Sequence, residues 1–176
     1  MILGGVLELR LHFKSILYQT RLVATARNIK NKDNYFDLNS LIKRIRVTYK
    51  TGNELQNSTT IISNYVDTGI TSNTKGTVVT ISGSPGSHND FKYMKSFFEK
   101  KNIRMICTNW PGSEYVTGGL NDTLTNIERN SYLENFMKIL NLHEENKLVL
   151  IGHSRGAENA LKIASNLSVG KSHYFQ

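Results

Sequence analysis

The sequence predicts an α/β fold, a sheet covered by helices on both faces, and three observations carry that prediction. Thr77 to Ile81 (TVVTI), Arg104 to Thr108 (RMICT) and Leu148 to Ile151 (LVLI) are short and almost continuously apolar, as expected of parallel strands with both faces buried. Segments of helical period lie between and after them. The last run leads straight into Gly152-His153-Ser154-Arg155-Gly156 and then into another helical segment. Strands alternating with helices of this length imply βαβ units with right-handed crossovers.

The elements follow in order. Arg44 to Tyr49 (RIRVTY) and Ile61 to Val66 (IISNYV) are β-branched and aromatic, and the turn residues Thr51-Gly52-Asn53 follow the first, so they read as two opening strands. The three apolar runs are the central strands, about five in all. Asp90 to Lys101 predicts a helix with Phe91, Met94 and Phe97/Phe98 on one side. Asn126 to Leu142 predicts a second, with Ile127, Leu133, Phe136 and Leu140 inward, and Thr125-x-x-Glu128 has the spacing of a capping box. A third, about Arg155 to Leu167, carries Ala157, Leu161, Ala164 and Leu167. No internal repeat or low-complexity tract interrupts the pattern.

A chain of 176 residues with 39% hydrophobic and 20% charged residues has the composition of one folded domain and not of a disordered chain. No apolar run approaches the ~20 residues that a spanning helix needs. The net charge of +8 is concentrated in residues 1–50, where ten Lys/Arg face three acids, so the other 126 residues carry only +1. A nearly neutral globular part argues against nucleic-acid binding as the main function. Residues 1–40 read as a basic N-terminal extension. Their low acid content and the spacing of Leu3, Leu7, Leu11, Lys14, Leu17 and Arg21 admit an organellar transit peptide, hence a mitochondrial location, beside the simpler reading of a solvated arm on a cytoplasmic protein. A secretory signal does not fit, since no positive charge precedes Met1 to Leu7. The Asn-x-Ser/Thr triplets at Asn57, Asn121 and Asn166 are then expected to be unused. The single Cys107 forms no intrachain disulfide, which agrees with a reducing compartment.

Gly-x-Ser-x-Gly is weak as a bare pattern, but its place between a strand and a helix gives it a physical reason. A serine in a tight strand-to-helix turn needs small residues two positions on either side. The turn lifts Ser154 Oγ out of the sheet, and the N-terminus of the next helix brings free N–H groups that favour a developing oxyanion. A second signal is Ser82-Gly83-Ser84-Pro85-Gly86-Ser87-His88-Asn89-Asp90-Phe91 after TVVTI, and a third is Trp110-Pro111-Gly112 after RMICT.

Over residues 41–168, SGSPGSHNDF, the Trp-Pro-Gly step and GHSRGAENAL together resemble the α/β-hydrolase fold superfamily, and in particular a nematode group of hydrolase-like proteins without an assigned substrate. The resemblance implies an α/β-hydrolase-like sheet of which this chain holds the N-terminal portion, with 169–176 as a tail. It implies Ser154 as nucleophile and the backbone N–H groups of Arg155 and Ser84 as oxyanion donors for hydrolysis of a small-molecule acyl substrate. No cofactor, metal or nucleic acid is implied. Ser82 stands where the superfamily commonly has a loop histidine, a change that weakens loop order more than it removes chemistry.

In that superfamily the catalytic acid and histidine follow the nucleophile. The 22 residues after Ser154 contain no Asp, one Glu (Glu158) and one His (His173), so the triad is expected to be incomplete and activity in doubt. A non-catalytic fragment or binding module is the alternative. His153 is expected to pack away from the site, and His88 to cap a helix or line the pocket more readily than to act as base. His143 is expected to be solvated, and His12 and His173 lie in the arm and the tail. Cys107 reads as a buried hydrophobe. Trp110 and Tyr115 read as pocket or core. Arg155 has two readings: a side chain greeting an acidic substrate group, or a main-chain donor whose guanidinium makes surface ion pairs, the second favoured. With later strands absent, LVLI would be an uncovered edge.

Overall fold

The computed structural model describes residues 38–52, 57–117, 124–144 and 147–172. Most of the basic extension with His12, the glycosylation triplet at Asn121, and His173 in the tail lie outside the described residues. Strand β1 (Ile42–Thr51) pairs antiparallel with β2 (Asn57–Asp67), from Ile42 opposite Val66 to Thr51 opposite Asn57. Strands β3 (Gly76–Ile81), β4 (Ile103–Cys107) and β6 (Leu148–Gly152) are the three apolar runs, and β3 runs parallel to both of the others. The order is β1-β2-β4-β3-β6, with the two-residue β5 (Val116–Thr117) pairing β2. The sheet is therefore mixed, antiparallel where β2 meets β4 and parallel through its centre. The sequence pattern predicted all of these strands except β5, which is too short to carry a periodic signal.

Period-2 alternation sorts the central side chains onto two faces. Val79, Ile81 and Ile106 join one buried cluster with Tyr49, Tyr132, Leu133, Phe136 and Ile163, whereas Val78, Met105 and Cys107 join another with Phe91 and Phe98. Helices α2 (Asn126–Ile139) and α3 (Arg155–Ser172) contribute to the first cluster. On the other face lies a 3-10 segment, His88–Met94, that runs into the short helix α1 (Lys95–Lys100).

The helix expected over Asp90 to Lys101 is thus split. Ser87 Oγ accepts the Asn89 N–H at 3.2 Å, and the tighter winding that follows is common at helix starts. Phe91 and Phe98 are buried, but Phe97 is exposed. In α2 the capping box is present and Leu133 and Phe136 face inward, while Ile127 is exposed, because the buried stripe runs through Arg129, Tyr132, Leu133, Phe136 and Met137. In α3 the buried positions are Gly156, Asn159, Ala160 and Ile163. Of the apolar residues the sequence places on this helix, Leu167 packs against the first cluster, and Leu161 and Ala164 are exposed.

Candidate active site

Ser154 occupies the turn between β6 and α3 with φ of 53°, a left-handed conformation that costs an L-residue roughly 1–2 kcal/mol. The surrounding packing imposes it. The His153 N–H binds the Ile81 carbonyl at 3.0 Å, and the Gly156 N–H binds the His153 carbonyl at 2.9 Å. A Cβ on Gly156 would overlap the Ile81 and Ser82 carbonyl oxygens, and one on Gly152 would overlap the Ala157 backbone. Both glycines are therefore dictated by close backbone approach, and the serine between them is exposed. Arg155 is the first residue of α3, so its N–H has no acceptor within the helix.

The loop after β3 reaches the same place. A Cβ on Gly83 would stand 3.1 Å from Ser154 Cβ, which sets the Gly83 backbone directly against the serine. Trp110, after β4, anchors this loop: its Nε1–H donates to the Ser82 carbonyl at 2.9 Å and the Gly83 carbonyl at 3.1 Å. Arg129 of α2 lies over the Trp110 ring, 4.9 Å from its centroid, and its Nη2 donates to Ser84 Oγ at 3.1 Å. Ser84 itself is exposed, and its bond to Pro85 is cis. Ser154, Arg155 and the loop that carries Ser84 thus meet at one end of the sheet.

The other candidates differ in their surroundings. His88 is fully buried, its N–H and Nδ1 within 2.9 and 3.1 Å of Asn109 Oδ1 and its ring edge-on to Tyr115. Burial holds its imidazole below the ordinary range against the opposing pull of the Asn109 hydrogen bond. His153 is exposed instead of packed, with Nδ1 3.5 Å from the position of a Gly83 Cβ, and His143 is half-buried instead of solvated. Glu158 accepts from Asn126 Nδ2 at 2.7 Å. Burial pushes the Cys107 thiol up to about 12, so it is an inert core residue. Arg155 makes no ion pair among the described residues. Sequence reasoning missed Arg129, although an arginine in register with the apolar stripe of Tyr132, Leu133 and Phe136 was a readable signal. Among the described residues no group of three or more His, Cys, Asp or Glu is arranged to hold a metal ion, and no helix is long and apolar enough to cross a membrane.

Residues 41–173 match the model of a family described as alpha/beta hydrolase of unknown function (DUF1057). An uncharacterized protein of Caenorhabditis elegans is 64% identical over 137 residues, which are 78% of this chain and 38% of that relative. Among solved structures, a carboxylesterase structure from the ammonia-oxidizing thaumarchaeon Nitrososphaera gargenis superposes with a TM-score of 0.54 at 19% identity, over 68% of this chain and 40% of that one. A laboratory-evolved variant of potato epoxide hydrolase superposes with a TM-score of 0.52 at 16% identity, over 68% of this chain and 34% of that one. At such identities the two structures speak for the fold alone. The chain spans well under half the length of each of these three proteins.

Proposed function

This chain belongs to the family of α/β hydrolases of unknown function (DUF1057), and from that premise we propose that Ser154 is the nucleophile of a serine hydrolase acting on an ester, amide or related acyl substrate. One observation carries the reading: an exposed serine held at φ of 53° in a strand-to-helix turn, with the Gly83 backbone against it. Strain of this kind persists only where the surroundings enforce it, and it gathers at reactive residues.

In the proposed reaction Ser154 Oγ attacks the acyl carbon and gives up its proton to a base contributed from outside the described residues, which passes it to the leaving group as the old acyl bond breaks. Water then releases the acid and restores the serine. The charge that develops on the carbonyl oxygen is received by the N–H groups of Arg155 and Ser84, the first at a helix N-terminus. A donor of this type is worth about 10²–10³ in rate.

The experiment is labelling of the folded chain with a fluorophosphonate probe, followed by mass analysis of the peptide that contains Ser154. A covalent adduct on Ser154, absent in Ser154→Ala, is the expected result; an unlabelled folded sample overturns the reading. A second reading, ligand binding without turnover, is favoured by the complete burial of His88 and by the engagement of Glu158 with Asn126, which place neither in the open to serve Ser154. Saturable ligand binding without any adduct would select it.

A further inference from the structure

Arg129 is 5% exposed, and it pairs with no carboxylate among the described residues. Its guanidinium donates from Nη2 to Ser84 Oγ at 3.1 Å and from Nε to the Leu124 carbonyl at 3.2 Å, and it lies on the face of Trp110. Nη1 is buried with no acceptor among the described residues. Buried cations are ordinarily paired, because the loss of water is otherwise uncompensated. A hydroxyl, a carbonyl and a ring soften that loss but supply no opposite charge.

Two further features point outward from this buried charge. Ser84 is exposed, and its oxygen accepts from Arg129 and makes no other hydrogen bond among the described residues. Its single hydroxyl proton is therefore left for an acceptor from outside, with a cation behind it to polarise the bond. Arg155, next to Ser154, is exposed and likewise has no acid partner among the described residues. Burial, and then repulsion from Arg155, hold the Arg129 guanidinium below its ordinary range, so the two cations are close enough to repel. An anion near both would relieve that repulsion.

We propose that the exposed Ser84 hydroxyl, backed by Arg129, receives an anionic group of the substrate, a carboxylate or a phosphoryl oxyanion, beside Ser154, with the exposed cation of Arg155 nearby. Arg129 acts through Ser84 and is a positioning residue. Only the statement that the anion belongs to a substrate rests on the serine-hydrolase reading; the binding itself does not. The substrate class this selects is an acyl compound with a second, negatively charged end close to the bond that is cut.

The test is titration of the full chain with butyrate, propylphosphonate and the neutral isostere butyramide, followed by calorimetry. At least one of the two anions is expected to bind about tenfold more tightly than butyramide, as charge-assisted hydrogen bonds require, and the stronger of them tells carboxylate from phosphoryl. Arg129→Gln is expected to abolish the preference and Arg129→Lys to retain most of it, a rescue by charge that a merely structural residue would not give. Arg155→Gln, on the surface, weakens the preference without risk to folding. Equal binding of all three compounds overturns the proposal, as does a preference that survives in Arg155→Gln and in folded Arg129→Gln. Absence of a fluorophosphonate adduct with the anion preference intact removes the hydrolase reading and supports the anion site; an adduct with no preference does the reverse.

Discussion

At the scale of single residues, the buried carboxylate of Asp67 ties the sheet together. Its Oδ1 accepts from Arg104 Nε at 2.9 Å and from the Gly69 N–H at 2.9 Å, and its Oδ2 from Arg104 Nη2 at 3.0 Å and Lys43 Nζ at 2.8 Å. One side chain thereby joins β1, β2 and β4. Burial alone would raise this carboxyl, but the hydrogen bonds from Arg104, Lys43 and Gly69 outweigh it and hold it at about 2. The folded value lies below the ordinary carboxylate value, so the associated stability is present above about pH 4 and is lost as pH falls towards 2; the difference corresponds to about 2 kcal/mol. Urea denaturation at a series of acid pH values is expected to show this loss, and Asp67→Asn, less stable near neutral pH, is expected to flatten it. An equally steep acid limb in Asp67→Asn would assign the loss to other carboxylates.

At the scale of elements, α2 is fixed at its first turn. Thr125 and Glu128 cap one another: the Glu128 N–H donates to Thr125 Oγ at 3.2 Å, and Glu128 Oε2 accepts the Thr125 N–H at 2.9 Å. The other oxygen, Oε1, accepts the Gly52 N–H at 2.8 Å, and Ser131 Oγ accepts the Lys50 N–H at 3.0 Å. One carboxylate therefore both starts the helix and docks it on the end of β1. Glu128→Ala is expected to cost about 1–2 kcal/mol by urea denaturation, more than Thr125→Ala, which leaves the Gly52 bond in place; equal losses would mean that the docking bond contributes nothing. The Thr125-x-x-Glu128 spacing was legible because a capping box is local, whereas the link to Gly52 joins residues 76 apart and leaves no trace in spacing. The same distinction explains α3. Its apolar residues occupy two faces, and the one that turns inward is set by the approach of Gly156 to the Ile81 and Ser82 carbonyls; of Ala157, Leu161, Ala164 and Leu167, Leu167 packs against the core and Ala157 is half-buried, whereas Leu161 and Ala164 face solvent, a division that apolar spacing alone does not disclose. The three central strands were legible from runs of apolar residues, and the Ser154 turn from its flanking glycines. The Trp110 and Arg129 contacts that shape the loop across from Ser154 depend on tertiary packing and were not.

At the scale of the whole molecule, the sheet is unevenly protected. On one side β1 is a long edge strand whose outward positions include Lys43, Arg44, Arg46 and Lys50, charges of the kind that discourage strand addition. On the other, β6 pairs β3 and has no further strand among the described residues. Its Val149 is 57% exposed, and Leu161 on the adjoining α3 is 67% exposed. Unpaired backbone groups beside exposed apolar side chains form a template for association with another chain. The purified chain is therefore expected to associate with rising concentration in sedimentation velocity, and Val149→Lys to shift it towards monomer. The basic segment offers a competing cause, since residues 1–50 carry +7, and salt separates the two. Association through charge weakens as ionic strength rises, whereas association through the β6 edge persists. A chain that stays monomeric over the whole dilution series, or assemblies that dissolve in salt and are indifferent to Val149→Lys, would show that the β6 edge is already protected.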